Sequence, residues 1–256
     1  MSTDLTVSGK GSMSFVEKTT EINSLMCKYY EDGFVYEFFD LDVQIDSLWQ
    51  LASCENEQLQ CIETAAQIPI YSCKIHSLNQ LAFKAFEDQN YVCAAHAFMR
   101  AAQAGDKRGK NNFAYMIRKQ LFPYSNMYSA FDVLKMLHPA LKEKESFSIV
   151  NTALVLSLIL GSEDDWKTAD ILFSRLTGDL EAVVSWWEKL GQAGDPEGVL
   201  VHFWMLQHNC IQSSTLGTPD SMWEILQNAY PNIPLWLKNP HERTPPSWTE
   251  NDLFTW

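Results

Sequence analysis

A chain of 256 residues with 46% hydrophobic content can bury a real core and is too apolar to be disordered throughout. Its net charge of −13 disfavours nucleic acid and suits a basic protein surface as partner. The longest apolar stretch, residues 149–160, is broken by Asn151, Thr152 and Ser157 and is too short to span a bilayer, and residues 1–15 lack the centre of a signal peptide. The expectation is therefore a cytoplasmic protein without membrane contact.

Residues 1–45 are expected to be an irregular, acidic N-terminal segment. Asp32-Gly33, flanked by Tyr29, Tyr30 and residues 34–36, suits a two-residue hairpin turn, and a helix from about Glu17 to Gly33 fits as well. Between Tyr29 and Cys73 there is no Lys or Arg, while nine acids occur: Glu31, Asp32, Glu37, Asp40, Asp42, Asp46, Glu55, Glu57 and Glu63. That run is expected to act as an acidic face. Arg100, Lys107, Arg108, Lys110, Arg118 and Lys119 gather further on, so the charge reads as bipolar.

A helical domain is predicted over 46–230. Asp46 or Ser47 caps a segment carrying Leu48, Leu51, Ala52, Leu59, Ile62 and Ala66, which Pro69 closes. A second helix covers residues 77–86, with Leu78, Leu81, Ala82, Ala85 and Phe86 on one face. From Tyr91 a repeat becomes legible, because Gln-Ala-Gly-Asp occurs at 103–106 and again at 192–195. Gly ends one helix in the left-handed conformation, and Asp caps the amides of the next.

Around the first copy Ala94, Phe98, Ala101 and Ala102, then Gly109, Phe113, Met116 and Ile117, recur at helical spacing. Around the second the equivalents are Val183, Trp187, Leu190 and Gly191, then Gly198, His202, Met205 and Leu206. The small residues among them permit close helix approach. Weaker echoes start at Ser129 and Thr168, and a further helix over 165–176 accounts for the slip in phase before the second copy.

Residues 97–109 and 186–198 resemble the Sel-like repeat, a relative of the tetratricopeptide repeat. The likeness rests on an aromatic and a basic residue (Phe98, Arg100; Trp187, Lys189), then small residues, Gly-Asp, and Gly three positions later. Ala97 in place of Trp and Leu190 in place of a small residue depart from that pattern. The resemblance implies an all-α, right-handed solenoid of antiparallel helical hairpins that binds protein partners. Thr218-Pro219-Asp220 then opens a helix to Tyr230 with Met222, Trp223, Leu226 and Ala229 on its apolar face. Residues 231–256, with five prolines and Trp236, Trp248 and Trp256, read as a cap packed along the solenoid.

Candidate chemistry is sparse. Cys73, His76, Cys93 and His96 form two Cys-x-x-His steps, but a helix of eleven residues between them spans roughly 15 Å, whereas zinc ligands lie about 2 Å from the ion. The six cysteines show no disulfide framework and are expected reduced. His202 reads as a core histidine, and Glu163-Asp164-Asp165 as the acidic start of a helix capped by Ser162.

The expectation is a non-catalytic, protein-binding chain with neither metal nor cofactor. In its most specific form it is an immunity or antitoxin-type inhibitor masking a basic toxin through Glu31, Asp32, Glu37, Asp40, Asp42 and Asp46. A general adaptor using the concave helix face is the alternative, and an enzyme with an unrecognised site, built on His202 or Glu163, is the third.

Overall fold

Helices in this chain end in one recurrent way, and that ending organises the fold. The computed structural model describes residues 13–32, 41–178, 180–239 and 244, with the side chains of 28–32 outside that description. Among the described residues there are twelve helices and no strand, so the protein is all-α. At six helix ends a residue with positive φ is followed by an amide that reaches back five residues. Gly105 (φ 97°) and Gly194 (φ 88°) do this in the two Gln-Ala-Gly-Asp copies, with Asp106 N to Ala101 O and Asp195 N to Leu190 O both at 3.0 Å. These are Schellman ends, which satisfy carbonyls that the helix leaves open. Gln89, Gln120, Lys144 and Asn209 take the same left-handed conformation without being glycine.

The chain divides into two compact units, one up to Gly109 and one from Lys110 onward. The first holds α1 (Phe15–Asp32), α2 (Leu41–Leu51), α3 (Glu55–Ala66), α4 (Tyr71–Glu87) and α5 (Tyr91–Gln103). Within the segment expected to be irregular, residues 15–32 and 41–45 are helical, and 1–12 and 33–40 lie outside the described residues. Ser14 and Glu17 form a capping box, and Phe15, Ile22 and Met26 are buried along one stripe. Residues 46–66, expected as one helix, form two. Ser53 marks the break, with its amide and hydroxyl both donating to Glu57 at 2.7 Å. Helix α4 starts at Tyr71, six residues earlier than the apolar pattern placed it. Helix α2 packs on α4, α3 on α5, and α1 against α2 and α3. The core of this unit is mostly aliphatic and small, including Leu48, Ile62, Leu81, Ala94 and Ala101, with Trp49 and Phe98 buried among them.

The boundary falls within α6 (Lys107–Arg118), and the second unit continues with α7 (Ala130–Lys142), α8 (Ser146–Val155), α9 (Glu163–Phe173), α10 (Glu181–Gln192), α11 (Pro196–Gln207) and α12 (Pro219–Ala229). Helix α9 covers most of residues 165–176, where a further helix was expected. Helix α11 packs against α9, α10 and α12, and every residue from Glu197 to Met205 is buried. The sequence pattern showed only one stripe there; contact on several sides accounts for the difference. Trp187, Trp204, Phe173 and Phe203 are fully buried, and Trp204 stacks on Phe173 at 4.5 Å.

The small residues have the expected role. A Cβ on Gly198 would lie 2.3 Å from Gly191 N and 2.5 Å from Trp187 O, so α10 and α11 touch backbone to backbone. At the C-terminal end Ile233 and Leu237 are buried and Trp236 is half-buried, while Ala229 is exposed rather than part of the apolar face. Trp248 and Trp256 lie outside the described residues.

Candidate functional site

The acids predicted to meet a partner fall into three groups. Glu31 and Asp32 close α1, with side chains that are not described; Glu37 and Asp40 lie outside the described residues. Asp42 and Asp46 sit on α2, and both turn toward α4. Asp46 is ion-paired with Lys84, and Asp42 Oδ2 lies 3.8 Å from His76 Nε2. The same holds one helix on, where Glu63 of α3 pairs with Arg100 and His96 of α5. Hydrogen bonding from Arg100 is the main reason the Glu63 carboxyl titrates below its usual range, reinforced by His96 and opposed by partial burial. Two of the nine acids, Asp46 and Glu63, are thus paired with a Lys or Arg inside their own unit. Exposed apolar side chains lie beside these pairs in the chain: Val43 next to Asp42 (59% exposed) and Phe83 next to Lys84 (47% exposed).

The basic cluster is consumed in a comparable way. Arg118 closes α6 and is buried in the second unit, its guanidinium 5.6 Å from the Tyr115 ring centre and 5.9 Å from that of Trp187. Its Nη1 lies 2.6 Å from Glu197 Oε1, outside hydrogen-bonding angles, and its Nη2 donates to Asn151 at 3.4 Å. Asn151 passes the chain on to Asn111 at 2.9 Å. Lys119 adds contacts of 2.7 Å to Asp195 and 3.4 Å to Glu197. Tyr230 stays protonated far above its usual range, first because it is buried and then because Glu197 and Asp195 are near.

Both Gln-Ala-Gly-Asp aspartates do double duty within their own units. Asp106 accepts from Gly109 N at 2.7 Å and from Asn79 of α4 at 3.0 Å. Asp195 accepts from Glu197 N at 3.0 Å while holding Lys119. A local cap is therefore also a tertiary tie.

His202 is a buried core histidine with two partners where one was expected. Val184 O can only accept, so Nε2 carries the proton, and Nδ1 then accepts from the Ser214 hydroxyl at 2.9 Å. Burial lowers its pKa and keeps it neutral. Ser162 caps α9 in a capping box with Asp165, and Glu163 pairs with Lys167 at 2.9 Å. The two Cys-x-x-His steps lie toward opposite ends of the α4–α5 pair, and their histidines meet Asp42 and Glu63 instead of the cysteines. Burial pushes the Cys61 thiol up to about 12 and Cys93 to about 11, the range of inert thiols. A contact that the sequence does not announce joins His208 Nε2 to Asp170 Oδ1 at 2.9 Å across 38 residues.

Neither a family model nor a curated protein nor a solved structure matches this chain. No described helix is long and apolar enough to cross a membrane.

Proposed function

We propose that this chain is a cytoplasmic, non-catalytic, protein-binding helical-repeat protein, a right-handed solenoid of Sel-like helical hairpins. The observation that carries this reading is the packing order of the first unit, in which α2 lies on α4 and α3 on α5. Successive hairpins of a repeat array would stack in that order, and such arrays present long helix faces to partners. Helices α2 and α4 carry ion pairs together with the exposed Val43, Tyr71 and Phe83, the last with its ring edge-on to Phe98 of α5, a composition suited to protein contact. The test uses cross-linking of the intact chain in its native lysate. Val43→Lys with Phe83→Lys should remove a captured partner while leaving the helical circular dichroism unchanged; retention of every partner by the folded double variant overturns this assignment.

A narrower reading is the immunity-type inhibitor of a basic toxin, favoured by the run of nine acids without Lys or Arg. Because Asp46 and Glu63 are already paired, Glu55 and Glu57 join Asp42 as the exposed or half-exposed acids of α2 and α3 that remain for such a partner. Reversing these three to Lys should slow association steeply at low salt if this reading holds, and leave it unchanged if the apolar face alone binds.

A further inference from the structure

Helices α7 and α8 of the second unit border a cavity of about 80 Å³. Helix α7 supplies Phe131, Leu134, Lys135, His138 and Leu141, which share one face at helical spacing. From the other side come Thr152 of α8 and Leu156, the first residue of the π-helical turn Leu156–Leu160 that continues it. Both walls depart from α geometry. Pro139 lies inside α7 and has no amide to donate, so the carbonyl of Lys135 loses its helical partner. The π turn widens the backbone on the other side, and such turns recur at functional sites. Two locally distorted helices cannot close to ordinary packing density, which gives the cavity a physical cause.

The lining has a defined polarity. Leu134, Leu141 and Leu156 make an apolar interior, and Phe131, 46% exposed, stands at the rim. Lys135 is the one charged residue in the lining, and it is exposed. His138 titrates below its ordinary range, first because it is partly desolvated and then because Lys142 is near, so the imidazole is neutral at pH 7. The nearest acid in this stretch of α7, Asp132, is engaged by the Ser129 amide at 2.9 Å and hydroxyl at 2.7 Å in the capping box. The Glu145 carboxylate accepts from the amides of Phe147 and Ser148 at the start of α8. Asp132 keeps its negative charge in its capping box and feels the charge of Lys135, so Lys135 offers an anion one partly compensated positive charge at the mouth, while the interior favours hydrocarbon.

Size limits the ligand. A dry cavity of about 150 Å³ holds benzene, so roughly half that volume takes a branched chain of about four carbons or part of one ring. We propose that this cavity binds a small carboxylic acid with a short branched body, its apolar part against Leu134, Leu141 and Leu156 and its carboxylate at Lys135. The site lies in the second unit and stands independently of the α2–α4 face.

The test is an amide-resolved NMR titration of the full chain with 4-methylpentanoate and with the matching neutral alcohol, 4-methylpentan-1-ol. The acid should shift amides of residues 131–156 in a saturable way and bind about tenfold more tightly than the alcohol, the factor expected for one favourable charge contact. Lys135→Gln should abolish that difference and leave alcohol binding unchanged. Leu134→Phe, at a half-exposed position that tolerates a larger side chain, should fill the cavity and weaken both ligands about tenfold, its fold checked in the same spectra. The proposal is overturned if the acid produces no saturable shift up to about 10 mM. Equal binding of acid and alcohol, or undiminished binding by folded Leu134→Phe, also overturns it.

Discussion

The two units hold their charges differently. In the first, Asp46–Lys84 and Glu63–Arg100 join neighbouring helices where each partner keeps about a third of its side chain in solvent. Such pairs guide which helix lies beside which but contribute little, about 0–1 kcal/mol each. In the second, Arg118 is 2% exposed and Glu197 12%, between aromatic rings and a chain of amides. That pair gains little over an apolar replacement, yet breaking it strands a buried charge. Similar numbers of ion pairs therefore carry different consequences, and burial rather than count decides which are critical.

Backbone contact and the buried ion pair give the two largest expected effects. Gly198→Ala should destabilise the chain by about 3 kcal/mol, because its Cβ meets only backbone atoms of α10. Gly109→Ala, whose Cβ meets the Ala101 side chain as well as the Ala102 amide, should cost about 2 kcal/mol. Urea denaturation with both variants checks the order, and a reversal would mean that the first unit is the more tightly packed.

The ion pairs come next. Glu197→Leu alone should cost about 3–5 kcal/mol, while Arg118→Met with Glu197→Leu should recover most of that. A double variant as unstable as the single one would break the contrast drawn above. Glu63→Gln should cost no more than about 1 kcal/mol at neutral pH, after screening. The folded Glu63 pKa lies below its ordinary value of 4.5, so its stabilisation is complete above that value and is lost as pH falls through the depressed one. The wild-type advantage over Glu63→Gln should therefore vanish in acid, measured as the difference in denaturation midpoints across pH.

The smallest change concerns Thr152, whose hydroxyl is buried without a hydrogen-bond partner. Thr152→Val should be neutral or stabilising by up to about 1 kcal/mol, and a large loss of stability would show that the hydroxyl has a structural role.

Legibility in the sequence follows the range of the interaction. Gly105-Asp106 and Gly194-Asp195 were readable as helix turns because backbone conformation and capping are decided within a few residues. The capping box at Ser162 was readable for the same reason. Four further ends of the same geometry were not, because Gln89, Gln120, Lys144 and Asn209 carry no glycine to announce the left-handed turn. All four are exposed, and the amide of the following residue, bonded back to the carbonyl five positions earlier, holds each turn against a modest backbone cost. The candidate site shows the same division. The acidic run was visible residue by residue, but its pairing partners His76, Lys84, His96 and Arg100 lie 33 to 38 positions away.

By itself, then, the sequence determined that the chain is helical, where two of its turns fall, and many of the buried stripe residues, though not Leu51 or Ala229, which are exposed. These are short-range consequences of backbone sterics and periodicity. Only the tertiary structure decided that α11 is buried on several sides, that Arg118 and Glu197 form a buried pair, and that α7 and the start of a π turn border one cavity. Each of those depends on which distant segments share a volume, and close packing sets that through contacts no local pattern encodes.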